Sequence, residues 1–288
     1  MKSPYSMSGI ADEAASSIAV QIATHKAIGL SHIELRSVDG SPIDALGKSE
    51  VSALIARIKQ ADFVVDCLDS RIGNWSRTVE YPLDDELAEI DRLANICHAL
   101  GCKSVRIMSY SRGTFSAHDW QERAIERLFV FVNRAKEHGI MLLHENCDGF
   151  AGRSPSDTLR MLRLVDSTNL RLLFDTGNGL AYGYDALAFL RPIVDFVDHV
   201  HIKDGMKSGG EVTYCRAGCG HAGVAACLAL LFSSGYRGVF SIEPHLAVLP
   251  HAGRADPEND RRIGLYTECA VSAGDLVRDV WHGITQHV

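Results

Sequence analysis

Residues 25–35 read HKAIGLSHIEL: a helix-like stretch, a glycine, and then a short apolar run. The same order recurs three times, as CHALGCKSVRI (97–107), KEHGIMLLHEN (136–146) and SSGYRGVFSIEP (233–244). Glycine can end a helix because it adopts the left-handed conformation without steric cost, and the apolar run that follows is typical of a buried strand. The pattern therefore predicts alternating helices and strands.

Working outward from these four units, the remaining apolar and periodic stretches complete the series. The predicted strands lie near Ser6–Ile10, His32–Arg36, Phe63–Leu68, Ser104–Ser109, Met141–Asn146, Leu170–Asp175, His199–Lys203 and Val239–His245. The predicted helices lie near Ala14–Ile28, Ser49–Ala61, Asp84–Leu100, Asp119–Glu137, Ser156–Leu164, Tyr184–Phe189, Gly223–Ser233 and Asp260–Val280.

Alternation of this kind implies parallel strands, and eight units in 288 residues fit a closed (β/α)₈ TIM barrel, an α/β fold, better than an open sheet. Neither a Gly-x-Gly-x-x-Gly nor a Walker A motif follows any predicted strand, which disfavours a doubly wound nucleotide-binding fold. Because no Pro/Ser/Gly-rich linker divides the chain, we expect one barrel domain over residues 1–288.

Composition narrows the range of partners. Lys and Arg number 29 against 36 Asp and Glu, so the formal net charge of −7 argues against a nucleic-acid partner. The N-terminus lacks the apolar stretch of a secretory signal and no apolar run is long enough to span a membrane, so we expect a cytoplasmic protein with no membrane partner. In that compartment the eight cysteines are expected to be free thiols.

Metal-ligating side chains follow four consecutive predicted strands. Since a barrel active site forms where the strands end, Glu145, Asp175, His201 and Glu243 are expected to converge there. Three crowded carboxylates repel one another unless a cation lies among them, and three oxygens with one nitrogen suit Mn²⁺ or Mg²⁺, with Zn²⁺ or Co²⁺ as further candidates. The alternative is a network of ion pairs, in which nearby arginine and lysine side chains neutralise these acids: Arg36, Arg106 and Lys203.

Taken together and in this order, several motifs resemble the xylose isomerase-like barrel superfamily, specifically its sugar phosphate isomerase/epimerase branch. The resemblance extends over nearly the whole chain, from AIGLSHIELR through LLHEN, LLFDTGN, HVHIKD and the Gly218-Cys219-Gly220 turn to SGYRGVFSIEPH. It implies that Glu145, Asp175, His201 and Glu243 hold one divalent metal. It also implies that Glu145 and Glu243 are the catalytic acid and base on opposite faces of a bound sugar.

The activity implied by the resemblance is isomerisation or epimerisation of a small-molecule carbohydrate, free or phosphorylated, through proton abstraction and a metal-stabilised enediolate. An inosose-type dehydratase on the same metal site is one alternative. A second is a metal-dependent hydrolase that resembles endonuclease IV, although the negative charge disfavours it. A third alternative is a barrel without catalytic activity that only senses or scaffolds a sugar. The sequence does not decide whether the protein forms a homo-oligomer.

Five residues are candidates for substrate contact: Asn178, Lys203, Lys207, Arg36 and His245. The chain departs from the ketose epimerases at two of them, since Asn178 stands where those enzymes have histidine and Lys207 where they have arginine. Asparagine can still hydrogen-bond a hydroxyl. For His245, substrate contact and a purely structural role are equally compatible with the pattern.

Three further features have a structural and a functional interpretation. Glu34 and Arg36 point to the same face of their strand, so they contact substrate or satisfy each other. His144 is expected to face away from the barrel mouth as a hydrogen-bonded core histidine. Cys215, Cys219 and His221 have the spacing of zinc ligands but lack a fourth partner, so we expect no structural zinc there.

Overall fold

A computed structural model describes residues 4–246, 248–249, 254–255 and 259–286, and its main feature is a ring of eight parallel strands. Strands β1 and β8 pair with each other, and β1 meets β2 through a parallel bridge between Ile10 and Glu34 that closes the ring. The expected (β/α)₈ barrel is therefore confirmed. The barrel strands are β1 Ser6–Gly9, β2 His32–Leu35, β3 Val64–Asp69, β4 Ser104–Ser109, β5 Met141–Gly149, β6 Leu170–Asp175, β7 Val197–Ile202 and β8 Val239–Ile242.

Helices surround the barrel between successive strands. Gly101 and Gly139 end two of them with φ of 73° and 65°, as the sequence pattern predicts. Ser116 caps the fourth helix, since its hydroxyl accepts a hydrogen bond from the Asp119 N–H at 3.1 Å. The helices are α1 Ile18–Ala27, α2 Lys48–Ala61, α3 Leu83–Leu100, α4 Ala117–His138, α5 Pro155–Val165, α6 Asn178–Tyr182, α7 Ala186–Leu190, α8 Val224–Ser233 and α9 Asn259–Thr285.

Short elements complete the loops, most of them at the carboxyl ends of the strands. Hairpins pair Ser37–Val38 with Ser41–Pro42, and Asp204–Ser208 with Glu211–Cys215. A third hairpin pairs Val248–Leu249 with Arg254–Ala255. Single turns of 3₁₀ helix lie at Ala11–Glu13, Ile43–Ala45 and Val194–Phe196.

Several boundaries differ from the sequence-based prediction: β8 ends at Ile242 rather than His245, and α9 continues to Thr285 rather than Val280. The first helix begins at Ile18 rather than Ala14, because Ala11–Glu13 forms a separate 3₁₀ turn after β1. The sixth predicted helix is two short ones, since Gly183 adopts φ of 84° and ends α6, and the Asp185 side chain caps α7. Strand β5 continues to Gly149, which pairs with Ser109 beyond a register shift.

The interior of the barrel has an apolar layer below a polar one. Cys67, Leu143 and Leu173 form a small buried cluster separate from the main core. Above it, towards the carboxyl ends of the strands, the buried side chains are mainly charged. All eight cysteines are free, and none of the described helices combines the length and apolar character needed to cross a bilayer.

Candidate metal centre

The four residues expected to ligate a metal converge at the mouth of the barrel. Glu145 is in β5, Asp175 ends β6, His201 is in β7, and Glu243 follows β8 directly. One potential ligand atom from each lies within 4.8 Å of the others, and all four side chains are buried. The register explains the convergence, because Asp175 and His201 are paired neighbours across β6 and β7.

Glu34 orients the imidazole of His201 from below. Its Oε1 accepts a hydrogen bond from His201 Nε2 at 2.9 Å, while its Oε2 accepts one from His199 Nε2 at 3.0 Å. This leaves His201 Nδ1 facing the carboxylates, 3.5 Å from Glu243 Oε2 and with no hydrogen-bond partner among the described residues. A carboxylate that fixes the far nitrogen of an imidazole is the usual support for a metal-ligating histidine.

The protein's own cations also reach the candidate ligands. Lys203 Nζ lies 2.9 Å from Asp175 Oδ2 and 2.7 Å from Glu243 Oε2. Arg36 Nη1 donates to Glu243 Oε1 at 3.0 Å, and Arg106 Nη1 donates to Glu145 Oε2 at 3.2 Å. Each of the three cations named in the ion-pair alternative therefore pairs with at least one candidate metal ligand.

These cations do not balance the buried acids. Burial, reinforced by neighbouring carboxylates, raises the pKa of Asp175 to about 7 and the pKa of Glu13 to about 8, even with Lys203 and Arg36 alongside. Extra positive charge is therefore accommodated at neutral pH as bound protons, which a divalent cation would replace. Among the described residues, seven buried carboxylates face three permanent cations: Asp12, Glu13, Glu34, Asp69, Glu145, Asp175 and Glu243 against Arg36, Arg106 and Lys203.

The two glutamates have different surroundings. Glu145 accepts from Asn178 Nδ2 at 2.9 Å as well as from Arg106. Burial alone would raise the pKa of Glu243, but the Lys203 charge and the contact with His245 hold that pKa well below the usual range. Glu243 is therefore ionised across the neutral range.

The residues predicted to contact substrate divide into two groups. Asn178, Lys203, Arg36 and His245 all touch a candidate ligand; the His245 Nε2 lies 3.1 Å from Glu243 Oε1. Lys207, in contrast, is exposed on the hairpin after β7, where its Nζ donates to the Leu180 carbonyl at 2.7 Å.

Two structural interpretations from the sequence are wrong. Glu34 and Arg36 do not satisfy each other, because Glu34 bonds to His199 and His201, and Arg36 pairs with Asp12 at 2.7 Å. His144 is buried as expected, yet neither ring nitrogen has a hydrogen-bond partner among the described residues.

The possible zinc ligands on the loop after β7 do not form a metal cluster. Among the residues the structure describes, Cys215, Cys219 and His221 belong to none of the groups whose ligand atoms converge. Cys219 is exposed, and His221 Nδ1 instead accepts a hydrogen bond from the Lys207 backbone N–H at 3.2 Å.

Sequence reasoning missed three acids near the mouth, and one of them, Asp69, ends β3 with its Oδ1 3.6 Å from Arg106 Nε. Asp12 and Glu13 follow β1 in a 3₁₀ turn, where Glu13 Oε2 accepts from the His245 N–H at 2.7 Å. The signal that revealed the other acids, polar residues directly after a strand, is present in this segment too. Asp12 and Glu13 lie between the predicted strand and the predicted helix, in a short segment to which the sequence analysis gave no role.

Comparisons with known proteins agree with this fold. An inosose dehydratase of Mesomycoplasma hyopneumoniae (strain 7448) is 31% identical over 86 residues, which span 30% of this chain and 29% of that enzyme. Two solved structures share the fold along almost the whole chain. An L-ribulose 3-epimerase has a TM-score of 0.74 at 16% identity, with 98% of this chain and 97% of that chain covered. The IOLI protein with a bound zinc atom has a TM-score of 0.73 at 16% identity, with 96% and 98% covered.

The family-level match covers most of the sequence. The sequence model of the xylose isomerase-like TIM barrel family matches residues 22–261, from α1 to the first turn of α9. This range contains all four candidate metal ligands and also Glu34, which holds His201 in place. The chain therefore belongs to the xylose isomerase-like TIM barrel family.

Proposed function

We propose that the protein is a divalent-metal-dependent isomerase or epimerase of a sugar or sugar phosphate. The observation that carries the proposal is the convergence of Glu145, Asp175, His201 and Glu243, with His201 Nδ1 buried, unpartnered and aimed at the carboxylates. Three hard oxygens and one imidazole favour Mn²⁺ or Mg²⁺ and also accept Zn²⁺ or Co²⁺. When bound, such an ion polarises a substrate carbonyl and the neighbouring hydroxyl, so that an adjacent C–H becomes more acidic.

The two glutamates supply the proton chemistry. They come from β5 and from the end of β8, which β6 and β7 separate, so they approach a central ligand from different directions. Glu243 is ionised and can accept a proton from carbon. Glu145 is fixed by Asn178 and Arg106 on the other side of the substrate. A proton that Glu145 has taken up from solvent passes to the carbon on that face, which inverts the carbon and gives an epimer, and Glu243 then releases the proton it removed to solvent.

Lys203 gives the site a cationic donor beside Glu243. Its ammonium is 2% exposed and holds both Asp175 and Glu243, which keeps the pKa of Lys203 well above its usual value despite burial. From this position it can donate a hydrogen bond to a substrate oxygen as negative charge develops there.

That donor also favours a second candidate, a dehydratase on the same residues. Loss of hydroxide from a substrate places negative charge on the departing oxygen, and Lys203 Nζ, 2.7 Å from the Glu243 carboxylate, can hydrogen-bond to that oxygen. The proton that Glu243 removes from carbon can then pass to this oxygen, so that it leaves as water. The inosose dehydratase relative supports this alternative. Product identity separates the two reactions.

The decisive experiment replaces each glutamate by glutamine. The amide keeps the shape and one oxygen ligand but accepts no proton, so E145Q and E243Q should each lose catalysis by about 10²–10⁴-fold. The assay follows solvent deuterium incorporation into ketoses, ketose phosphates and inososes with Mn²⁺ present. In an epimerase, one of the two variants should still exchange a substrate C–H with solvent while forming no epimer.

Metal content must be measured in the same samples. Both variants should retain a stoichiometry near one, so that the loss reflects proton transfer rather than missing metal. Parent-like turnover in both fully metallated variants would show that the glutamates are ligands only. Two or more tightly bound metals per chain would instead favour the hydrolase alternative.

A further inference from the structure

A second cleft opens on the catalytic face, between the N-terminal ends of α4 and α5. Its volume is about 440 Å³, and it is lined by aromatic and charged side chains. Trp120 comes from the first turns of α4, Arg112 from the loop after β4, and Asp157 from the first turn of α5. The segment that follows Glu145 along β5 supplies the other side of the cleft: Asp148, Phe150 and Arg153.

The lining combines the half-buried indole of Trp120, which is backed by the buried ring of Phe150, with planar hydrogen-bonding groups. Trp120 and Phe150 meet edge to face with ring centroids 6.3 Å apart. Arg153 Nη2 pairs with Asp148 Oδ1 at 2.7 Å, whereas Arg112 is exposed and makes no ion pair with any described residue. Arg112 therefore has all its guanidinium donors available for a ligand.

The charge of the lining decides the class of ligand. Arg112 and Arg153 are matched by Asp148 and Asp157, so the cleft has no excess of positive charge to hold a phosphate. Aromatic faces pack against the C–H face of a sugar ring, and planar arginine and aspartate groups bridge neighbouring hydroxyls. The lining thus fits an uncharged polyhydroxylated ring better than an anion.

The cleft lies within reach of the candidate metal centre. Asp148 is three residues beyond Glu145 on β5, which corresponds to roughly 10 Å along an extended strand. Arg153 also stacks over the Tyr182 ring, 4.8 Å from its centroid, and Tyr182 ends the helix that begins with Asn178. Strand β5 and helix α6 therefore connect the two sites.

We propose that this cleft binds the second, uncharged sugar ring of a substrate larger than a monosaccharide. The inference rests on the proposed function, because it assigns the first ring to the candidate metal centre. It makes the cleft the part of the protein that selects substrate length, and it predicts that linked sugars bind more tightly than single ones.

The test is a binding measurement on the full-length, Mg²⁺-loaded protein with ¹⁵N-labelled indoles. The chain has only three tryptophans, and a W120F variant identifies the Trp120 signal. Cellobiose and maltose should shift that signal at concentrations at least about tenfold lower than glucose does. Trp281, which packs against Tyr5 and Phe232, should not respond and reports on an intact fold.

Arg112→Ala should weaken disaccharide binding about tenfold or more, as expected for loss of hydrogen bonds from a charged donor. Arg123→Ala is the matched control, because Arg123 is an exposed arginine of α4 that stacks on Phe115 outside the cleft. No Trp120 shift with either disaccharide, equal affinity in the Arg112 variant, or a shift with inorganic phosphate alone would each overturn the proposal. The Trp120 shift measures binding and needs no catalytic turnover. A negative result in this experiment is therefore distinct from a negative result in the deuterium exchange that tests the proposed function.

Discussion

At the scale of single residues, Glu34 shows how a side chain outside the ligand set can control it. Both of its oxygens accept from imidazole N–H groups, at 2.9 Å from His201 and 3.0 Å from His199. Burial alone would raise the pKa of Glu34, but the two histidines hold that pKa well below its usual value. Glu34 is thus a fixed anion that keeps His201 Nδ1 turned towards the metal ligands.

Glu34→Gln should therefore weaken Mn²⁺ binding by about 10–100-fold, the usual cost of losing an outer carboxylate partner. Glutamine places an NH2 group where one of the two Glu34 oxygens lies, so it cannot accept from both imidazoles in this geometry and it removes the negative charge, which weakens the hold on His201. Isothermal titration of metal into the variant measures the effect. Asp66→Asn is the matched control, since it breaks a carboxylate–imidazole pair with His32 (2.8 Å) that involves no candidate ligand. Equal Mn²⁺ affinity in the Glu34 variant and the parent would contradict a positioning role.

His144 gives a prediction about pH and stability. Burial lowers its pKa to about 4 from an ordinary 6.5, so between these values the unfolded chain binds a proton that the folded chain does not. Stability should therefore fall as the pH drops through this window. The contribution of this one group between pH 7 and pH 5 is about 2 kcal/mol.

His144→Leu should remove that acid sensitivity while leaving stability at pH 7 unchanged or higher, because the imidazole has no hydrogen bond to lose among the described residues. Chemical denaturation at pH 7 and pH 5 measures the difference. His25→Leu is the comparison: its pKa is also lowered to about 4, but it bonds to the His32 carbonyl (3.0 Å) and the Tyr266 hydroxyl (2.9 Å). That variant should lose stability already at pH 7. An undiminished pH dependence in the His144 variant would refute the assignment.

At the scale of elements, Asp204 organises the loop after β7. Its carboxylate accepts backbone hydrogen bonds from Gly205, Gly218, Gly220 and Ala222, at 2.8, 2.9, 3.0 and 3.1 Å. Gly220 approaches so closely that an added Cβ would lie 2.2 Å from Asp204 Oδ1. Folding of the loop around this anion places Tyr214 edge to face on His245, with ring centroids 5.2 Å apart.

Asp204→Ala should loosen the loop without unfolding the barrel. Several backbone N–H groups lose their acceptor, and each unsatisfied group costs about 1–3 kcal/mol. Hydrogen–deuterium exchange should therefore rise at least tenfold across residues 205–222 and stay unchanged in β4 and β5. Glu211→Ala, an exposed acid of the same hairpin, should leave the exchange as it is. Parent-like protection of the loop in the Asp204 variant would show that other contacts hold it.

Elements were predictable where the decisive interaction is local. Gly29, Gly101, Gly139 and Gly235 all have the positive φ that their position after a helix requires. The extension of β5 to Gly149 was not predictable, because it depends on pairing with Ser109 of a different strand. The ligand candidates were found because they follow strands, whereas the bonds from Arg36 to Asp12 and Glu243 form only when the ring closes.

At the scale of the whole molecule, the candidate metal centre joins one half of the barrel. Its residues come from β5, β6, β7 and the end of β8, so a bound ion adds a link across four strands to the hydrogen bonds and ion pairs that already join them. A ligand that binds only the folded state stabilises it by about 2.7 kcal/mol at a hundred times its dissociation constant. For a chain of this size we therefore expect Mn²⁺ to raise the melting temperature by roughly 5 °C or more.

Asp175→Ala should abolish that rise, because it removes an acid whose two oxygens order the site: Oδ1 accepts from the Gly177 and Asn178 N–H groups (2.8 and 2.6 Å), and Oδ2 pairs with Lys203. The same change at Asp157, an acid of the second cleft, should preserve the full rise and so controls for nonspecific metal binding. Differential scanning calorimetry with Mn²⁺, and then with excess chelator, measures the melting temperature of each variant. A rise caused by metal bound at this site is reversed by the chelator and is absent from the Asp175 variant. If millimolar Mn²⁺ does not change the melting temperature of the parent protein, the prediction is wrong. The charge of the seven buried carboxylates is then balanced by Arg36, Arg106, Lys203 and bound protons, and ion pairs rather than a metal stabilise this end of the barrel.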